Sequence, residues 1–412
     1  MYRWIMTFGL LAGSAAGNAS ESPVLVSADF RTDAFAAKWT VEPPSALGTA
    51  AAWAPGEIST RGPRWQSPKF AVEPSRYYRL TVGVKGWPRS MWAAVFFDAD
   101  GRQLTSDHYS GLDVSERWTV QEFFFRARHD ARTCQLWFHP LEASGEALCL
   151  SSVRVAPASR QEAARWADRT YAQLPPLEFT PPAGRGGRLP RSMESLRSGR
   201  PLRVVMLGDS IVNDTSNSAW DVLLERACPK AHIEIVTSVR GGTGCQYYRQ
   251  ENRVEEYVLR HKPDLLVIGG ISHGFDVEAI RSVIQQVRRR SSSVEILVLS
   301  DPLGVHGDPR TWPLMMVEPG KTGDEARKRL AALGPYRVGL REMAAEEAVE
   351  CFDVATIWDT YIAHCGKPYD YFLRDPVHAN ERGRQILARM LVGFFTAALS
   401  ADKAGDKERN YP

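Results

Sequence analysis

Between Tyr77 and Pro157 the chain sets short apolar runs between turn-forming residues: YYRLTVGVKG, MWAAVFFDADG, WTVQEFFFRAR, CQLWFHP and ALCLSSVRVAP. The runs are rich in β-branched and aromatic residues, which suit a pleated, half-buried surface, and DADG carries the turn chemistry between two of them. No stretch of helical period separates them. The pattern predicts an all-β sandwich, of jelly-roll type, over residues 23–156.

From Arg203 the period changes. RVVMLG reads as a strand, SNSAWDVLLERAC as an amphipathic helix capped by Ser or Asn, and IEIVTSV as a second strand before a glycine-rich loop. RVEEYVLRHK predicts a helix, and PDLLVIGG a strand buried on both faces. DVEAIRSVIQQVRRR holds apolar residues at i, i+3, i+4 and i+7 and feeds VEILVLSDP. One or two helices follow in DEARKRLAALGPYRVGLREMAAEEAVE. CFDVATIW then reads as a fifth strand, and NERGRQILARMLVGFFTAAL as a closing helix. Repeated strand–helix units imply a parallel sheet covered on both faces, whose ligands meet the carboxyl ends of the strands. This α/β domain is expected over 201–400, with a polar tail at 401–412. Residues 157–200 read as a linker: a helical piece, SRQEAARWADRTYAQL, then the Pro/Gly-rich PPLEFTPPAGRGGRLPRS as extended chain.

Composition changes this picture little. Of 412 residues, 44% are hydrophobic and 24% charged, ordinary for a globular chain with material for more than one core. A net charge of +3, with no basic stripe interleaved with aromatics, argues against a nucleic-acid partner. Arg288-Arg289-Arg290 closes a helix, where cations meet the negative end of the dipole. The first 20 residues do add something. Arg3, an apolar stretch from Trp4 to Leu11, and small residues to Ala19 have the layout of a cleavable signal peptide, too short to span a bilayer. A secreted or periplasmic protein without a membrane span is expected.

Six cysteines suit an oxidising compartment. If CQLWFHP and ALCLSSVRV paired as a symmetric hairpin about LEASG, Cys134 and Cys149 would face each other. A disulfide between them is one reading, and two buried thiols the other. Trp53, Trp65, Trp87, Trp92, Trp118 and Trp137 fall in the β region, as core residues or as platforms for a sugar ring.

Candidate chemistry gathers after the strands of the second half. Ser210, in LGDSIVNDT, lies just past the first of them. A serine hydroxyl needs a base held by a carboxylate, and RDPVHANERG, before the closing helix, offers Asp375 and His378. Their spacing lets one turn bring Asp375 to the imidazole Nδ1 and leaves Nε2 for Ser210. The glycine-rich VRGGTGC lacks the GxxxxGK[ST] context of a phosphate loop. His306 and Asp308 follow the fourth strand, a place for substrate contacts. Arg374 suits either an acidic sugar or an ion pair. Without a second Asp/His cluster at ligand spacing, neither a metal nor another cofactor is expected.

With these residues in this order, the C-terminal half resembles the SGNH (GDSL-type) hydrolase superfamily. Gly208, Asp209 and Ser210 match its first block. Gly244 resembles the oxyanion-hole glycine of the second, with Gly241 and Gly242 supporting the loop, and Asp375 and His378 match the last. The third block should be a strand ending Gly-x-Asn-Asp. LLVIGGISHG has the strand and Gly270, but Ile271 stands where the family has asparagine. The resemblance implies a flavodoxin-like three-layer α/β/α domain and a triad of Ser210, His378 and Asp375. It also implies an oxyanion held by the N–H groups of Ser210 and Gly244, with Ser272, His273 or Asn213 replacing the missing donor. Asp209, Gly270, His306 and Arg374 are the expected substrate contacts.

The β region is similar to the jelly-roll modules of secreted carbohydrate-active enzymes. With the export-type N-terminus, this implies a secreted esterase that deacylates, above all deacetylates, an acylated polysaccharide or oligosaccharide. A lipid or aryl esterase, or an acyltransferase, would use the same triad. A non-catalytic carbohydrate-binding protein with a vestigial site is the reading from a different class.

Overall fold

The computed structural model describes residues 23–409 apart from 31–38, 43–50, 55–56, 61–63, 87–89, 141–147, 182–185, 301–322 and 376. The expected signal peptide, Trp87, His306 and Asp308 lie outside the described residues.

Two antiparallel sheets form the β region. One runs in the order Thr119–Arg126, Tyr77–Gly86, Leu148–Ala158, Glu57–Thr60, Ala51–Ala54, with Val26–Asp29 also on Leu148–Ala158. The other runs Thr40–Glu42, Arg64–Gln66, Thr133–Pro140, Ser90–Phe97, His108–Leu112, with Phe70–Ala71 on Thr133–Pro140. Strand periodicity sends Tyr78, Leu80, Val82 and Val84 inward, and the sheets meet where Trp92 packs on Phe123 and Phe125. Trp65 and Trp137 are also buried, whereas Trp118 is 43% exposed.

The Cys134–Cys149 bridge, one of the two readings from the sequence, is not formed. Thr133–Pro140 pairs with Ser90–Phe97, and Leu148–Ala158 with Tyr77–Gly86, so consecutive strands change sheets instead of forming a hairpin. Cys134 registers against Phe96 and Cys149 against Lys85.

In the second half, five parallel strands (Pro201–Gly208, His232–Val239, Leu265–Ile268, Glu295–Leu299 and Glu350–Phe352) lie in the order 2-1-3-4-5. Their alternating side chains sort into two cores. Val204, Met206, Val267 and Leu297 join Trp220, Leu391 and Phe394 on one face. Val205, Leu207, Ile268 and Val298 join Ile280, Ile284 and Met343 on the other. This is the expected flavodoxin-like three-layer α/β/α arrangement. The strand order reverses between the first and third strands, so their carboxyl ends open the crevice where such sheets bind ligands.

Several elements differ from expectation. CFDVATIW is a strand only over Glu350–Phe352. The Asp353 carboxylate accepts from Thr356 N at 3.2 Å and starts a helix, Val354–His364, despite its β-branched first turns. SNSAWDVLLERAC forms its helix at Trp220–Ala227 with no side-chain cap, and a separate helix, Ser210–Ser216, precedes it. The closing helix, Glu381–Arg409, continues through the expected polar tail.

The 157–200 segment is built into the fold. Helix Arg160–Tyr171 opens on a Ser159/Glu162 capping box and lays Trp166 against Phe124. Part of the stretch expected to be extended is instead the helix Pro190–Ser198. The Glu295 carboxylate accepts the Arg191 and Ser192 N–H groups at 2.8 and 2.7 Å in its first turn. One apolar cluster runs from Trp92 through Trp166 to Trp220 and Phe395, so sandwich and α/β layers share a core. Among the described residues, no helix is long and apolar enough to cross a membrane.

Candidate active site

The crevice begins at Gly208. A Cβ there would lie 2.3 Å from the Gly269 carbonyl oxygen, so only glycine lets the ends of the first and third strands approach this closely. Asp209 follows, and its buried carboxylate accepts three backbone N–H groups: Ile211 at 2.9 Å, and Ile271 and Ser272 at 2.7 Å each. It therefore caps the Ser210–Ser216 helix and fastens the GGISHG loop, in place of the expected substrate contact. Gly270, at φ +106°, makes room for that carboxylate: a Cβ would lie 2.7 Å from Asp209 Cγ. Ser210 is the first residue of its helix, where N–H groups have no partner within the helix.

His378 comes from a loop closed by a bridge between Leu373 and Ala379, with Arg374 N donating to the His378 carbonyl at 3.0 Å. Asp375 accepts from Val377 N at 3.0 Å and His378 N at 2.9 Å, and both its oxygens lie 2.8 Å from His378 Nδ1. His378 Nε2 lies 2.8 Å from Ser210 Oγ. Burial alone would raise the Asp375 pKa. The hydrogen bond from His378 and the positive charges of Arg374 and His378 outweigh burial and hold it at about 2. An ionised Asp375 can only accept, so Nδ1 carries its proton and Nε2 is left to accept from the Ser210 hydroxyl.

Gly244 packs so tightly on the third-strand loop that a Cβ would lie 2.2 Å from the Ser272 carbonyl oxygen. No described residue accepts from the N–H of Ser210 or Gly244. Two of the three candidate replacement donors are occupied elsewhere. His273 is buried, with Nδ1 accepting from Cys245 N at 3.0 Å and Nε2 donating to the Gly269 carbonyl at 2.8 Å. Burial lowers its pKa, which keeps the ring neutral in this bridging tautomer. Asn213 donates to the Asp107 carbonyl, on the sandwich, at 2.7 Å. Ser272 is half-buried beside Gly244 and is the remaining candidate.

Arg374 is neither a substrate contact nor a surface residue. It is buried, with Nη1 at 2.8 and 2.9 Å from the two oxygens of Asp214 and 2.6 Å from the Ala379 carbonyl. Asp214 and its second arginine, Arg384, were not anticipated from sequence. The one available signal was that Asp214 sits four positions, one helical turn, after Ser210.

Residues 206–386 match the GDSL-like Lipase/Acylhydrolase family. The chain carries a GDSL-like lipase/acylhydrolase domain. Among solved structures, the chain is similar to a two-domain esterase (CEX) active on acetylated mannans, with 15% identity over 53% of this chain and 55% of that one, at a TM-score of 0.40. It thus spans about half the length of that esterase. It is also similar to an acetyl xylan esterase from Geobacillus stearothermophilus, with 18% identity over 47% of this chain and 94% of that one, at a TM-score of 0.36. A putative GDSL-like lipase from Parabacteroides merdae matches at 17% identity over 48% of this chain and 95% of its own, with a TM-score of 0.35. No curated protein sequence matches the chain.

Proposed function

We propose that the protein is a secreted serine esterase that removes acyl groups, above all acetyl, from a polysaccharide or oligosaccharide. The observation that carries this reading is the unbroken chain of 2.8 Å contacts from Asp375 through His378 to Ser210, in the crevice between the first and third strands.

His378 Nε2 takes the hydroxyl proton as Ser210 Oγ attacks the ester carbonyl carbon. Asp375 holds the ring in the Nδ1–H tautomer and stabilises the imidazolium that forms. The N–H groups of Ser210 and Gly244, with the Ser272 hydroxyl, receive the tetrahedral oxyanion. Collapse breaks the bond to the sugar oxygen, and His378 returns the proton to that leaving alkoxide. Water then attacks the acyl-serine by the same steps in reverse, freeing the carboxylic acid. The carbohydrate assignment is supported by the sandwich fused to the hydrolase layers, the exposed Trp118 and the export-type N-terminus.

Hydrolysis of p-nitrophenyl acetate and acetate release from an acetylated polysaccharide test the reading together. Ser210→Ala should lower kcat on both by at least about 10⁴-fold. Unchanged turnover by that variant overturns the nucleophile assignment. Turnover that rises steadily with acyl chain length, with no acetate released from polysaccharide, overturns the carbohydrate assignment in favour of a lipid or aryl esterase.

A further inference from the structure

Helix Ser210–Ser216 is seven residues long, too short to hold its own orientation, so its direction depends on what grips it. Three grips come from outside the α/β layers or bridge to them. Asn213 donates to the Asp107 carbonyl of the sandwich at 2.7 Å, and Arg126 of the sandwich donates to the Ser216 carbonyl at 2.9 Å. Between them sits Asp214, whose buried carboxylate is bonded on all sides. It receives Arg374 Nη1, Ala379 N at 3.1 Å and Arg384 Nη2 at 2.8 Å. Ala379 is the residue after His378.

Arg384 extends the cluster into the sandwich. It is fully buried, and its Nη2 also donates to the Tyr109 carbonyl. Its Nη1 donates to Glu381 at 3.0 Å and to His108 Nε2 at 2.9 Å. His108 and Tyr109 belong to strand His108–Leu112, which also abuts the His378 loop: a Cβ on Gly111 would lie 3.2 Å from Arg374 Cβ. Nucleophile helix, acid–base loop and sandwich strand therefore meet at one carboxylate.

We infer that Asp214 is a positioning residue, which locks the Ser210 helix to the His378 loop and, through Arg384, locks both to the β-sandwich. The sandwich is then part of the frame of the active site as well as a neighbouring module. This inference rests on the esterase reading for its effect on rate, but not for its geometry. Asp214 also takes the Nη1 of Arg374, leaving Asp375 a longer ion pair with that arginine. The Arg374 Nε stands 3.7 Å from Asp375 Oδ2 while Nη1 is committed to Asp214. Without the Asp214 charge, Asp375 is the carboxylate Arg374 reaches next, and drawing Asp375 toward it loosens the grip on His378 Nδ1–H.

The test compares Asp214→Asn, Arg384→Lys and, as control, Asp113→Asn, which breaks the exposed Asp113–Arg382 bridge between the same two regions. Arg384→Lys keeps the charge but cannot span Asp214, Glu381 and the Tyr109 carbonyl together. It carries the test should Asp214→Asn not fold. In variants that keep the wild-type circular dichroism spectrum, kcat for p-nitrophenyl acetate is expected to fall about 10²-fold in Asp214→Asn and about tenfold in Arg384→Lys, with KM little changed. The control should match wild type. The low-field proton resonance of His378 Nδ1–H should move or broaden in Asp214→Asn and stay in place in Asp113→Asn. A folded Asp214→Asn or Arg384→Lys protein with wild-type kcat and an unmoved resonance overturns the inference. If the wild-type protein hydrolyses no ester, the esterase reading fails, and the resonance alone decides whether Asp214 positions His378.

Discussion

His378 Nε2 and Ser210 Oγ stand 2.8 Å apart although 168 residues separate them in the chain. The contact exists because the first strand and the loop before the closing helix both open into the crevice where the strand order reverses. Replacing Asp375 with Asn leaves that contact possible but removes the ionised acceptor that fixes the tautomer. Asp375→Asn is expected to lower kcat by about 10⁴-fold, measured by initial rates on p-nitrophenyl acetate.

Asp375 also links the site to acid stability. Its pKa lies at about 2, below the ordinary 3.8, so the folded state holds fewer protons than the unfolded state between those values. Its contribution, on the order of 2 kcal/mol, is fully present above pH 3.8 and lost as the pH falls through 2. The difference in unfolding free energy between wild type and Asp375→Asn should therefore shrink from pH 5 to pH 2 in urea titrations.

The seam between sandwich and α/β layers titrates higher. Burial lowers the pKa of His108, His129 and His261 from 6.5 to about 4. His129 and His261 face each other across the seam with ring centroids 5.0 Å apart. Between pH 6.5 and 4 the unfolded chain binds the extra protons, so their contribution is complete above 6.5 and declines as the pH falls toward 4. Asp107, raised by burial to about 6, acts in the opposite sense but is one group against three. Tm is expected to fall by roughly 5 °C or more between pH 7 and pH 4.5, followed by scanning calorimetry.

The oxyanion hole gives two further outcomes. If the Ser272 hydroxyl supplies the third donor, Ser272→Ala costs about 10²–10³ in kcat with little change in KM. His273→Ala acts differently. It strips the partners of both Cys245 N and the Gly269 carbonyl, which hold Gly244 against the third strand, so it should lower both kcat and Tm. Kinetics and melting curves on the two variants separate a donor from a brace.

Much of this was legible in the chain, for identifiable reasons. The strand–helix period placed Ser210 at a strand end and the Asp375–His378 pair in the loop before the closing helix, because apolar spacing reports on burial in regular elements. The Cys134–Cys149 pairing misled because spacing about a turn assumes that neighbouring strands pair, and here they lie in different sheets. VATIW was read as strand from its β-branched residues, but Asp353 capped a helix there. Beyond the one-turn spacing of Asp214 from Ser210, the roles of Asp214 and Arg384 and the engagement of Asn213 by Asp107 were out of reach. Their partners are set by how two regions dock, and no local pattern encodes that contact.

Trp118 offers a probe of the polysaccharide. It is exposed on the sandwich, with Lys85 Nζ 4.9 Å from its ring. If it carries a sugar, Trp118→Ala should raise KM for the polysaccharide several-fold and leave p-nitrophenyl acetate kinetics unchanged.

The central claim is that Ser210 carries the acyl group in transit. Mass spectrometry of the protein quenched in acid during turnover of an acetylated polysaccharide reads this directly. The account predicts one acetyl adduct, on the peptide containing Ser210, that is absent from Ser210→Ala. An adduct on another residue, or acetate released at the wild-type rate by Ser210→Ala, would contradict it.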